Sequence, residues 1–152
     1  MNTARILQQE KEDPYPQTLL RPCRAITGIS AILLPYNNDN SVDWASFERT
    51  LEHTVSAGLI PAVNMDTGYA SLIDEATRLE VLQRTSTVTS GLEFVAGVFV
   101  GDSPGQKFDA DAYRHGIAET EAVSGTPILF QSFGLSELQE DEVAPAYESV
   151  TL

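Results

Sequence analysis

The sequence predicts an α/β fold built on a parallel sheet of four strands. Three observations predict it. Four short apolar runs alternate with four stretches of helical periodicity, the links between them are short and rich in turn residues, and the length of one run plus one helix stays nearly constant along the chain. Strands and helices that alternate in this way pair their strands in parallel through right-handed crossovers.

The totals allow a packed core. The chain has 152 residues, 42% of them hydrophobic, enough for one ordinary domain or part of a larger one. Its formal charge of -13, from 22 acidic and 9 basic residues, repels phosphate backbones and anionic lipid, so neither nucleic acid nor a membrane is an expected partner. Cys23 is the one cysteine, so no intramolecular disulfide can form. No signal-peptide pattern, membrane-length apolar run or Asn-x-Ser/Thr sequon occurs, and the expected location is the cytoplasm.

Residues 1–24 are polar, contain Pro14, Pro16 and Pro22, and show no sustained period; they read as an N-terminal extension to a folded region at 25–152. Ile26 to Pro35 is a nearly continuous apolar run, as expected of a strand buried on both faces. The turn cluster 37–41 leads into a helix capped by Ser41 or Asp43, with Trp44, Phe47, Leu51 and Val55 on one face and Gly58 near its end. The second strand is Ile60 to Met65. Its helix runs from a cap at Asp74 to Val88, with Ala76, Leu79, Leu82 and Val88 as expected core contacts. The third strand, Glu93 to Val100, is followed by a helix from Asp109 to Val123 that turns Tyr113, Ile117 and Thr120 inward. The fourth strand is Thr126 to Ser132. A loop over 133–136 precedes a last helix from Glu140 to Val150, which Pro145 kinks unless it lies in the first turn.

Function should sit where such a fold presents ligands, on the loops after the carboxyl ends of the strands. The loop after the second strand, Asn64-Met65-Asp66-Thr67-Gly68, offers carboxylate, hydroxyl and backbone N–H groups.

Several residues point toward a relative. Gly28-Ile29-Ser30-Ala31-Ile32-Leu33-Leu34-Pro35-Tyr36 with Val42-Asp43, the helix end Ser56-Ala57-Gly58, the loop Asp66-Thr67-Gly68-Tyr69-Ala70-Ser71-Leu72 with its acidic, Arg-containing helix, and Ala96-Gly97 follow one another in a familiar order. In that order and spacing the chain resembles the dihydrodipicolinate synthase and N-acetylneuraminate lyase family from about Ile26 onward. The resemblance implies a TIM (β/α)8 barrel of which this chain holds the N-terminal half, four β/α units. It also implies class I aldolase chemistry on pyruvate or a related 2-oxo acid through a Schiff base, with no separate cofactor. Asp66, Thr67 and Gly68 then form the substrate-binding loop and Tyr36 stands at the mouth of the site or packs on the first helix, the second being preferred. Asp66 replaces the family's first Thr and Tyr69 its Glu, and the loop is one residue shorter. The family's relay Tyr and Schiff-base Lys belong to its fifth and sixth strands, beyond Leu152 here. The expectation is a truncated, catalytically incomplete lyase, with no catalytic residue of its own.

Nothing else in the chain replaces that chemistry. Lys11 falls in the polar extension, and Lys107 lies in a Gly- and Pro-containing loop between Asp102 and Asp109, a solvated setting. Gly101 to Lys107 lacks the spacing of a phosphate loop. His53 and His115 have no second His or Cys at metal-ligand spacing and read as solvent-facing, so no metal is expected. Two alternatives to the aldolase fragment remain: a non-enzymatic half-barrel that pairs with itself or complements another chain, and a small doubly wound domain. A half-barrel leaves apolar edges at its first and fourth strands and an open inner face, which favours homo-oligomers or poor solubility.

Overall fold

The computed structural model describes residues 23–151. The proposed extension at 1–24, Lys11 included, therefore falls almost entirely outside the described residues. The strands are β1 (Ile29–Ala31), β2 (Ile60–Val63), β3 (Val95–Val98) and β4 (Thr126–Leu129). The helices are α1 (Trp44–Ser56), α2 (Glu75–Thr89), α3 (Ala110–Ala122), the one-turn α4 (Phe133–Ser136) and α5 (Glu140–Val150). All strand pairs are parallel, in the order β1-β2-β3-β4. No strand order reverses within this sheet, so the doubly wound alternative fails. A strictly sequential order with crossovers of one hand lays the helices on a single face, as in half of a barrel.

Local chemistry fixes the helix starts. Asp43, Asp74 and Asp109 each accept a hydrogen bond from the backbone N–H three residues on, at 3.0, 2.8 and 2.9 Å. These bonds satisfy donors that a first turn leaves free. They also hold the Asp43 and Asp74 carboxyls below the ordinary carboxylate range, through the Ser46 and Thr77 contacts. α2 ends at Ser90 in the left-handed region, followed by Gly91.

The core lies between sheet and helices. Ile32, Leu34, Val63, Phe94 and Ala96 pack with Phe47 and Leu51 of α1 and Val81 and Leu82 of α2. Val98 packs with Tyr113 of α3, Leu135 of α4 and Val150 of α5. Full burial of a side chain such as Phe47 or Leu51 stabilises by about 1.5–3 kcal/mol. The α1–α2 seam is sealed at its surface: Arg84 pairs with Glu48 of α1 and Glu80 of its own helix, and its guanidinium lies 4.6 Å from the Trp44 ring centre.

Several expectations are corrected. The first strand is not buried on both faces. Ile32 and Leu34 are buried, whereas Leu33 is 61% and Ile29 55% exposed. The alternation puts those two on the face that none of the described helices covers. Ala76 is exposed; in α2 the buried positions are Val81, Leu82, Thr85 and Thr89. The threonines fit there because a helical Thr can return its hydroxyl to the preceding turn, as Thr85 does to Val81 at 2.7 Å. Segment 133–136 is a helical turn capped by Ser132 rather than a loop. Pro145 sits in the second turn of α5, which continues through it.

Candidate functional site

The carboxyl ends of β1 and β2 bring the sequence-selected residues together. Asp66–Gly68 forms a single 3-10 turn directly after β2, closed by Tyr69 in the left-handed region at φ 60°. Asp66 and Thr67 are exposed while Gly68 and Ala70 are buried. A Cβ on Gly68 would stand 3.4 Å from the Ile32 carbonyl, so the turn lies close over the neighbouring strand. Among the described residues neither the Thr67 hydroxyl nor the Asp66 carboxylate has a hydrogen-bond partner, which leaves both available to a ligand. Tyr36 is half-exposed and meets Tyr69 edge-on, ring centres 6.0 Å apart. Its ring thus meets the loop that follows β2. The backbone at Tyr36 is held by a bridge to Val42.

Two residues hold this loop: Arg78, which the sequence did not single out, and Asn64, the first residue of the loop itself. Arg78 of α2 donates to the carbonyls of Ala70 and Ile73, at 3.3 and 2.7 Å, and so gathers the end of the loop onto the helix. Asn64 adopts the left-handed region at φ 51°, which Asn tolerates better than most side chains. Its Nδ2 donates to the Arg78 carbonyl at 3.2 Å. Its own carbonyl crosses β3 so closely that a Cβ on Gly97 would stand 2.1 Å from it. Gly97 is what permits the chain to turn into the loop at this level. The Arg78 pairing spans a loop with no periodic signal, so only its position early in a predicted helix was visible beforehand.

At the far end of the sheet, Asp102 accepts from the N–H groups of Phe133 and Gly134, at 2.8 and 2.7 Å, tying the loop after β3 to α4. Desolvation pushes its carboxyl up, but the Gly134, Phe133 and Ser132 hydrogen bonds outweigh it and leave it below the ordinary range. Tyr113 is fully buried; its hydroxyl donates to the Phe130 carbonyl at 2.6 Å and accepts from the Ser132 N–H at 2.9 Å. Together these fix the end of β4. Lys107 is on the exposed loop, and no hydrogen bond or ion pair engages its ammonium among the described residues.

A second feature lies where α2 and α3 meet the end of β3. A cleft of about 450 Å³ opens between α2 and α3, lined by Asn64 and Arg78 on one side and His115, Gly116 and Glu119 on the other. Glu75, His115 and Glu119 gather at this cleft, with one ligand-type atom of each within 4.8 Å of the others. His115 is exposed as expected, but it is paired with Glu119 at 3.1 Å. The i,i+4 spacing of His115 and Glu119 is the half of this cluster that a sequence can show.

No protein-family model matches the chain, and no curated protein matches it by sequence. Solved structures do match in fold. A Pseudomonas aeruginosa protein assigned as a dihydrodipicolinate synthetase superposes with a TM-score of 0.68 at 18% identity, over 83% of this chain and 42% of its own. Dihydrodipicolinate synthase from Bacillus clausii gives 0.64 at 14%, over 82% and 40%. The chloride-inhibited synthase of Acinetobacter baumannii, in complex with pyruvate, gives 0.66 at 17%, over 82% and 41%. The chain has the fold of the N-terminal half of these TIM barrels and spans about 40% of their length. Among the described residues no helix is long and apolar enough to cross a membrane.

Proposed function

We propose that this chain is the ligand-loop half of an aldolase-type barrel. In this reading Thr67 and Gly68 hold the carboxylate of a small 2-oxo acid once a second half completes the barrel. The observation that carries it is the Asp66–Gly68 turn at the carboxyl end of β2, with a Thr67 hydroxyl that no described residue engages and with Gly68 packed against the Ile32 carbonyl. A hydroxyl and close backbone at one point suit a carboxylate, whose oxygens accept only. The pyruvate complex of the Acinetobacter baumannii synthase, a protein of this fold, supports the ligand class. Asp66 adds a negative charge beside Thr67 and weakens the hold relative to a threonine there. The Schiff-base lysine and its relay tyrosine come from the later strands of such a barrel, so these 152 residues alone are expected to be catalytically silent.

Reductive trapping tests this. The chain, alone and co-expressed with the C-terminal half of the Acinetobacter baumannii synthase, is treated with pyruvate and borohydride. The expected result is a trapped adduct on the complementing half only, reduced roughly tenfold or more by Thr67→Val through loss of a hydrogen bond to a charged group. An adduct on the isolated chain, or trapping indifferent to Thr67→Val, overturns the assignment.

A second reading is favoured by the bare inner side of β1, where Ile29 and Leu33 stand exposed. It makes the chain a non-enzymatic half-barrel that pairs with its own copy. A stable dimer by light scattering, with no complex with the complementing half, would decide for it.

A further inference from the structure

We propose that Arg78 is the positioning residue of the ligand turn: it clasps both ends of the turn that carries Thr67, and so sets where the Thr67 hydroxyl and the Gly68 backbone stand. This rests on the reading of that turn as a carboxylate holder. Asn64 precedes the turn and Ala70 follows it, and both are buried. Arg78 bonds to each. Its backbone carbonyl accepts from Asn64 Nδ2 at 3.2 Å. Its guanidinium Nη1 donates to the Ala70 carbonyl at 3.3 Å and to the Ile73 carbonyl at 2.7 Å. The residue is half-buried in the first turn of α2, where its own N–H donates to the Asp74 carbonyl at 3.1 Å. The clasp is therefore mounted on a capped helix start rather than on another loop.

The bonds inside the turn explain why the clasp matters. The N–H groups of Gly68 and Ala70 both donate to the Met65 carbonyl, at 2.8 and 3.3 Å, and the Tyr69 N–H donates to the Asp66 carbonyl at 3.0 Å. These are short-range backbone bonds in a segment where Asp66, Thr67 and Tyr69 are exposed, and such segments open at little cost. Holding Ala70 holds one of the donors that close the turn onto Met65. Bonds from a guanidinium are stronger than neutral ones, and one Nη1 that reaches two carbonyls fixes the direction of the loop as well as its distance from the helix. Among the described residues Arg78 makes no hydrogen bond to Thr67, so its effect passes through the turn. Pre-set geometry of this kind governs how well a hydroxyl and backbone N–H groups meet a carboxylate.

The test has two readouts. In hydrogen exchange on the full chain, Arg78→Ala should speed exchange over residues 66–70 by at least about tenfold, as loss of a bond from a charged group implies, while α3 keeps its wild-type rate. Arg78→Gln should do the same if the alanine variant fails to fold. Arg84→Ala, which removes the ion pairs to Glu48 and Glu80 on the same helix, should leave 66–70 unchanged. In pyruvate trapping with the complementing half, Arg78→Ala should raise the pyruvate concentration for half-maximal trapping at least about tenfold, with the rate at saturation unchanged. In a Thr67→Val background it should cost nothing further, because the two residues act as one unit. Unchanged exchange at 66–70, exchange that rises equally in α3, or a trapping loss that adds to that of Thr67→Val overturns the positioning role. Trapping indifferent to Thr67→Val overturns the carboxylate reading instead, and exchange at 66–70 then decides by itself whether Arg78 holds the turn.

Discussion

The two faces of the sheet are made from similar residues and have opposite surroundings. On the helix side, Ile32, Leu34, Val63, Phe94 and Ala96 are all buried. On the other side, in register across the sheet, Ile29 and Leu33 of the first strand segment are open to solvent. The centre of that side is closed: Ala62 and Val95, paired across β2 and β3, are both buried. Gly97 lies under the Phe130 ring, whose nearest atom would stand 2.4 Å from a Cβ on Gly97. The difference teaches that the sheet is held from its helix-covered side, while the other side keeps exposed apolar residues at its β1 edge. A barrel uses both sides at once, the inner one filled by side chains from opposing strands.

The largest expected effect breaks the covered side. Phe47→Ala removes a ring that is 1% exposed between β1, β2 and α2, and should cost about 3–5 kcal/mol in chemical denaturation. A loss under about 1 kcal/mol would mean that the helix layer is not close-packed.

A smaller effect is expected at the rim joining the two sides, where Asp102 holds α4. Asp102→Ala should cost about 1–2 kcal/mol near neutral pH. Its carboxyl titrates below the ordinary value of 3.8 in the folded state. That contribution is therefore complete above about pH 4 and is lost as pH falls through the folded value. Stability curves of the wild type and Asp102→Ala should converge in acid, and parallel curves down to pH 2 would remove Asp102 from the account.

The smallest effect on stability, and the sharpest contrast, belongs to the bare side. Leu33→Asp should change stability by no more than about 0.5 kcal/mol, as at an exposed site. In the self-pairing reading it should nevertheless abolish the dimer measured by light scattering, because a charge would then face the second copy. Unchanged association would move the contact surface away from β1.

Much of this was legible in the residues. Asp43, Asp74 and Asp109 announced the helix starts because a capping bond is local, spanning three residues. Tyr113 and Thr120 followed from helical spacing. The loop at Asp66–Gly68 followed from its position after an apolar run. What the sequence could not show are pairings across long separations. Arg78 draws in Ala70 and Ile73 only because α2 folds back over the loop. Glu75 meets His115 only because two successive helices lie side by side on one face. The reading of Ala76 as core failed because α2 packs through Val81, Leu82 and Thr85, a choice made by how the helix lies on its neighbours rather than by its own pattern.

The sequence by itself determined the four β/α units, their order and their helix caps, since each rests on periodicity and on contacts a few residues apart. The tertiary structure alone decided that the sheet runs straight from β1 to β4 with one side uncovered by any of the described helices. It also decided that Tyr36 turns to Tyr69, and that an acidic and histidine cluster forms between α2 and α3. Those outcomes depend on the direction in which strands pair and helices cross, which a one-dimensional pattern of polar and apolar residues does not encode.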